Sequence, residues 1–277
     1  TDLNVLPPRD AVMKRIEQAG LPSNQAGHLW MDDSLGLILN KLDELKLAQN
    51  TIVLFVADHG SGHKGSLYKA RGTEVPCIMR WPAGMKAGVR SDELIQNTDF
   101  VPTWFELAGV KKPASYRMDG VSLTPLFQAP HEPVREHVYA EIGAARSIKT
   151  KTHSYIALRY TREQVAGVQE RQRRELKALT GLSGGVSRSI ATHPHAYTGD
   201  QLYDLKQDPD AQKNLADQKR HAGTLTQMKQ KLAAELKRFP ARPYGEFVPG
   251  GNALAGGGYD KVFETLRQAA VDKKPKK

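Results

Sequence analysis

The sequence predicts an α/β fold continued by a small α+β subdomain, and three observations carry that prediction. Residues 51–56 form an unbroken apolar, β-branched run that ends in Ala57-Asp58-His59-Gly60, the pattern of a parallel-sheet strand buried on both faces. Before it, residues 26–47 place Met31, Leu35, Ile38, Leu42 and Leu45 at spacings of four and three, with Asp32, Lys41, Asp43 and Glu44 on the opposite side. That is an amphipathic helix expected to cover the sheet, and helix, short loop and strand make one αβ step. Beyond a proline-bearing boundary at 128–133 the pattern changes to short strands at 137–142, 146–150, 154–160 and 201–205. Strands that follow one another without crossover helices predict an antiparallel sheet. A long helix should close it, opened by Asp208-Pro209-Asp210 and striped by Leu225, Met228, Leu232, Leu236 and Phe239.

The remaining elements follow in chain order. Residues 10–18 predict a short helix stopped by Gly20 and Pro22, and residues 75–80 a second strand closing on Trp81-Pro82. Asn97-Thr98-Asp99 offers caps for a helix through Leu107 with Gly109 as its stop, which makes Asp99 a scaffold residue; Asp119 is read as a turn residue. Asp32 and Asp33 sit where carboxylates compensate a helix dipole, a better account of them than metal ligation. The segment 161–200 reads as an insertion with a charged helix over 161–180, and His193 and His195 within it read as loop residues. Residues 241–277 read as a glycine-rich tail with one short helix. The expected division is therefore 1–129, 130–240 with its insertion, and 241–277.

Composition narrows the function classes. With 277 residues, 39% hydrophobic and 25% charged, the chain can build a sizeable core. No apolar run approaches the ~20 residues of a membrane span. The net charge of +10 collects in Arg159, Arg162, Arg171, Arg173, Arg174 and Arg188 and in a lysine tail, without zinc-finger spacing or RNA-reading aromatics, so no nucleic-acid partner is expected. Most of that charge reads as a solvated face. Cys77 is the single cysteine, so no internal disulfide is possible, and its place in an apolar strand predicts a buried, inert thiol. Thr1-Asp2 begins neither a signal peptide nor a methionine start, so the beginning reads as cut.

The expected site lies just past the strand at 51–56. Asp58 and His59 are followed by the glycine- and serine-rich loop 60–65 with His63 and Lys64, then by Tyr68 and Arg71-Gly72. In open α/β sheets the chemistry sits beyond the carboxyl ends of strands. A carboxylate, imidazoles and an ammonium gathered there suit a metal and an anionic group together. By residue type alone, an N-cap aspartate, a loop histidine and a solvated lysine account for the same positions.

The segment resembles the type I sulfatases of the alkaline phosphatase superfamily. The resemblance rests on Asp58-His59-Gly60, Lys64-Gly65-Ser66-Leu67-Tyr68, Gly72, Val75-Pro76 and Arg80-Trp81-Pro82 in that order. It continues through Asp99-Phe100-Val101-Pro102-Thr103, Asp119-Gly120-Val121-Ser122-Leu123 and the closing strand and turn, 201–205 and 208–216, and covers about 26–240. It implies the C-terminal part of an alkaline-phosphatase-like α/β/α sandwich followed by the α+β subdomain. It also implies a metal-dependent sulfuric ester hydrolase (an arylsulfatase-like hydrolase) with Asp58 and His59 as metal ligands. Lys64 would hold the sulfate and stabilise the leaving oxygen; His63 is a further donor without a firm counterpart in the family.

Calcium is the metal the family implies, and His59, where the family commonly has asparagine, opens zinc or manganese. The family nucleophile, a formylglycine made from Cys/Ser-x-Pro-x-Arg, has no such motif here, so it is expected upstream and the chain alone is expected to be inactive. Implied partners are a sulfated small molecule or a sulfated glycan, with location in the periplasm or outside the cell. Two alternatives stand beside this reading: a phosphate or phosphonate ester hydrolase of the same superfamily, and a non-catalytic module that holds sulfated glycans through the arginine-rich insertion.

Overall fold

The structure, a computed structural model, describes residues 6–60, 67–68, 72–142, 145–159, 193, 195 and 198–238. His63, Lys64, the arginines and charged helix of 161–192, Phe239 and the tail 241–277 lie outside those residues. The chain divides into two units, Thr1–Phe55 with Ile78–Val89 and Val56–Cys77 with Arg90–Lys277.

In the first unit, helix α1 (Arg9–Gln18) follows Pro8, which holds an extended cap, and ends before Gly20, whose φ of 64° only glycine adopts without strain. Val12 and Ile16, four apart, are its buried positions. Helix α2 (Ala26–Glu44) packs on α1, and Arg15 Nη1 donates to Asp33 Oδ2 at 2.7 Å, so Asp33 serves as an ion-pair partner. Strands β1 (Val53–Val56) and β2 (Cys77–Arg80) pair as a two-stranded sheet.

Burial in this unit departs from expectation. Met31, Ile38 and Leu45 of the α2 stripe are exposed, Val56 is exposed, and the rest of β1 is only half-buried. Cys77 is also exposed, whereas the apolar run predicted burial. The cause is local: β1 has β2 as its one ladder partner among the described residues, and a strand at a sheet edge keeps backbone and faces accessible. Partial desolvation still pushes the Cys77 thiol up, so it stays protonated near neutral pH and is a poor nucleophile.

The second unit holds helices α3 (Phe100–Leu107) and α4 (Thr124–Gln128), then strands β3 (Val138–Ile142), β4 (Ala145–Lys149), β5 (His153–Leu158) and β6 (Asp200–Asp204), and finally helix α5 (Ala222–Leu236). The four strands form an antiparallel sheet in the order β3-β4-β5-β6, as the run of short strands predicts. Because side chains alternate along a strand, the register sets two faces. One row, Tyr139, Ile148, Tyr155 and Leu202, crosses all four strands, and Met228 and Leu232 of α5 pack on it with Leu225 and Leu236. Ser147, Lys149, Gln201 and Tyr203 take the other face and are also buried.

The closing helix starts later than Asp208-Pro209-Asp210. The side chain of Asp208 instead accepts from the backbone nitrogens of Gln212 (3.0 Å) and Lys213 (2.7 Å), and Ala211 has a φ of 52°. Asn214 Oδ1 accepts from Leu202 N and Ala216 N, both within 3.0 Å, so this stretch is an edge-binding turn.

Arg159, expected in a solvated face, is nearly buried against Asp200, which also accepts from Lys229 of α5 and from Tyr155. Burial alone would raise the Asp200 carboxyl, but the hydrogen bonds from Lys229, Arg159 and Tyr155 outweigh it and hold it below the usual range. The hydrogen bond with His137, opposed by burial and assisted by Arg238, likewise lowers Glu235. Carboxylates depressed in the folded state stabilise it fully above their unfolded pKa values, and that stability is lost as pH falls through the folded ones. We therefore expect the melting temperature to hold from pH 7 to 5 and to fall steadily below about pH 4, with a smaller fall in Asp200→Asn. A melting temperature unchanged down to pH 3 would contradict this.

Candidate active site

The site begins where β1 ends. After Val56 the chain turns through Ala57, Asp58, His59 and Gly60, and two backbone bonds hold the turn: Ala57 N donates to Pro76 O at 3.2 Å, and Gly60 N to Gly72 O at 3.2 Å. Asp58 and His59 are thereby held at a strand end, as the sequence predicts, with the Asp58 carboxylate 83% exposed and the His59 ring 36% exposed.

Their geometry is specific. His59 Nδ1 lies 3.1 Å from the carbonyl oxygen of Gly60. A carbonyl can only accept, so the proton of the neutral ring sits on Nδ1 and the Nε2 lone pair is left free. Nε2 is 3.4 Å from Asp58 Oδ2. Two acceptors facing each other at that distance repel unless a proton or a cation lies between them. Two ligands on one ion with bonds of about 2.1–2.4 Å sit about 3.2 Å apart at a right angle, so the pair fits as adjacent donors of a divalent cation. Carboxylate oxygen with imidazole nitrogen suits zinc or manganese better than an all-oxygen calcium set. Among the described residues no third His, Cys, Asp or Glu joins them. His63 and Lys64 lie outside the described residues.

The same segment continues into a buried cluster whose bonds the sequence did not foretell. Tyr68 is buried, its hydroxyl donates to Gln201 Oε1 at 2.8 Å, and Tyr203 donates to the same oxygen at 2.9 Å. Gln201 Nε2 donates to Thr198 O at 2.9 Å, which fixes the orientation of the amide. The His193 ring stacks on Tyr68 with centroids 3.7 Å apart and planes 8° apart. His193, read as a loop residue in the sequence, is thus buried and stacked. Burial first, then Tyr203, pushes the Tyr68 hydroxyl up, and burial does the same to Tyr203, so both remain donors. Lys149 Nζ donates to Thr73 Oγ1. The available sequence signal was Tyr68 within Lys64-Gly-x-x-Tyr and a β6 strand with buried residues at consecutive positions.

Comparison with known proteins defines the class. Solved structures share the fold: a Bacteroides thetaiotaomicron protein from a study of glycosaminoglycan metabolism superposes with a TM-score of 0.59 at 22% identity, covering 87% of this chain and 49% of that one. The phosphonate monoester hydrolase of Agrobacterium radiobacter gives 0.53 at 19% identity, covering 76% and 40%. The fold is thus alkaline-phosphatase-like α/β.

Within that class, residues 12–110 match the Sulfatase family model. An ulvan-active sulfatase of Formosa agariphila is 34% identical over 186 residues, covering 64% of this chain and 35% of that protein. Human steryl-sulfatase is 35% identical over 140 residues, covering 42% and 24%. Over these residues the chain is similar to the sulfatases, and its match spans about a third of the ulvan-active sulfatase and a quarter of steryl-sulfatase.

Proposed function

We propose that this chain supplies the metal-binding and sulfate-binding part of a sulfatase that hydrolyses a sulfate ester. The observation that carries the reading is that residues matched by the sulfatase family, 12–110, contain Asp58-His59 as a preformed carboxylate–imidazole pair and Lys64 shortly after it. Sulfate-ester cleavage builds negative charge on the sulfuryl oxygens and on the departing oxygen, so cations aimed at those atoms lower the barrier. A divalent cation bound at the pair would polarise the sulfuryl oxygens. Asp58 Oδ2 and His59 Nε2 lie 3.4 Å apart, and Gly60 O faces His59 Nδ1. Lys64, with His63 beside it as a second donor, stabilises the leaving oxygen.

This reading requires a nucleophile that the 277 residues do not supply, since Cys/Ser-x-Pro-x-Arg is absent from them and Cys77 is followed by Ile78-Met79-Arg80. A formylglycine would provide it. Calcium is the family's metal; the imidazole of His59 favours zinc or manganese. Two curated relatives carry names that point to glycan substrates, the ulvan-active sulfatase and an N-acetylglucosamine-6-O-sulfatase, and steryl-sulfatase points to a small sulfate ester. We assign this protein to that range, sulfated glycan or small sulfate ester, with action in the periplasm or outside the cell. No helix among the described residues is long and apolar enough to cross a membrane. We further propose residues 1–129 as the catalytic α/β portion, 130–240 as the subdomain and 241–277 as a tail.

The test is sulfate release from 4-methylumbelliferyl sulfate by the whole polypeptide and its Lys64→Ala variant. We expect turnover in the first and a loss of about 100-fold or more in the second, since a donor at a charged transition state contributes about 3–4 kcal/mol. A polypeptide that lacks Cys/Ser-x-Pro-x-Arg and binds sulfated glycan without turnover would support the binding module instead.

A further inference from the structure

Gln201 lies 143 positions after Asp58 in sequence, yet a continuous set of bonds connects them. Gln201 Oε1 takes the hydroxyls of Tyr68 and Tyr203. Tyr68 O in turn accepts from Thr73 N at 3.1 Å and from Thr73 Oγ1 at 3.3 Å, and Thr73 Oγ1 is also the acceptor of the buried Lys149 ammonium. Gly72, adjacent to Thr73, accepts from Gly60 N at 3.2 Å, and Gly60 O is the group that orients the His59 ring. Along this path Gln201, Tyr203, Tyr68, Lys149, Gly72 and Gly60 are buried, His59 is half-buried, and Thr73 and Asp58 are exposed.

Among the described residues, this path connects the Asp58-His59 turn to the polar face of the antiparallel sheet, opposite the face that packs on α5. Groups that orient a ligand's supporting carbonyl contribute to metal affinity as well as to shape, and coupling of this kind travels through contiguous bonded networks.

We propose that Gln201 is a positioning residue for the metal site: by clamping Tyr68 together with Tyr203, it sets the bonds between Tyr68 O and Thr73, and through Gly72 and Gly60 the geometry of Asp58 and His59. The proposal rests on the reading of Asp58 and His59 as metal ligands. It assigns to the subdomain sheet a part in metal affinity, in addition to its own stability.

The experiment titrates manganese(II) into the whole polypeptide and follows loss of the free-ion electron paramagnetic resonance signal. Four proteins are compared well below their melting temperatures: wild type, Asp58→Ala, Gln201→Leu and Tyr155→Phe. The last breaks a bond to Asp200 on the other face of the same sheet and measures what general loosening does. We expect Gln201→Leu to weaken manganese binding about tenfold and Tyr155→Phe to leave it within about twofold, consistent with the size of outer-shell effects. Should Gln201→Leu fail to fold, Tyr68→Phe removes one hydroxyl only and takes its place, with a weakening of severalfold expected. If Asp58→Ala weakens binding while Gln201→Leu does not, or Gln201→Leu and Tyr155→Phe weaken it equally, the positioning role is overturned. If Asp58→Ala binds like wild type, the metal-ligand reading itself falls, and this inference with it.

Discussion

Replacing Asp99 by alanine is expected to cost about 3–5 kcal/mol of stability, the range for leaving one partner of a buried ion pair alone. Asp99 is fully buried, accepts from Gln96 N at 2.8 Å and Val121 N at 3.0 Å, and pairs with the Arg135 guanidinium, itself mostly buried. The same corner is closed by Thr103, whose hydroxyl donates to Asp99 O at 2.6 Å and accepts from Leu123 N at 2.9 Å. Gly120 approaches so closely that a Cβ there would lie 2.1 Å from Thr98 O. Thermal melting should show a drop of roughly 10 °C for a unit of this size. The double replacement Asp99→Leu with Arg135→Met should recover part of it, because removing both charges costs less than stranding one. A loss below about 1 kcal/mol in Asp99→Ala would show that water reaches Arg135 and that the corner is not sealed.

The second large effect concerns chemistry. In the whole polypeptide, Asp58→Ala is expected to lower kcat/KM for a sulfate ester by about 1,000-fold, or roughly 4 kcal/mol, the scale of removing a charged metal ligand from a site whose cation stabilises the transition state. Its melting temperature should stay near that of wild type, because the Asp58 side chain is exposed. His59→Asn separates ligand chemistry from ligand number: an amide oxygen in place of the imidazole should favour calcium over zinc in competition. An Asp58→Ala enzyme that retains more than a tenth of its activity would remove Asp58 from the metal site.

The sequence carried the elements that depend on neighbours close in the chain and missed those that depend on neighbours far away. The antiparallel order of β3 to β6 follows from consecutive short strands, and α1 and α2 begin near where their apolar spacing starts. The position of Asp58 and His59 at the end of β1 follows from the apolar run that ends at Val56.

The exposure of Cys77 and of the α2 stripe could not be read from periodicity, which reports an apolar face without reporting what covers it. The late start of α5 escaped because Asp208 and Asn214 spend their side chains on local backbone nitrogens, a competition that looks like a helix cap in sequence. The Tyr68–Gln201 bond joins residues 133 apart, and only the folded register of β6 places Gln201 and Tyr203 on one face beneath Tyr68. Arg159 belongs to the same lesson: in sequence it stands in a basic stretch, in the fold it is the partner of Asp200.

The central claim is that the chain serves sulfate-ester hydrolysis, and a ratio tests it most directly. With the whole polypeptide, kcat/KM is measured for 4-methylumbelliferyl sulfate and for the matching phosphate and phenylphosphonate monoester under one set of metal conditions. We predict a preference for the sulfate of at least about 100-fold, or roughly 2.7 kcal/mol of differential transition-state stabilisation. Equal or faster turnover of the phosphate or phosphonate ester would contradict it and assign the site to the phosphoryl branch of the same fold.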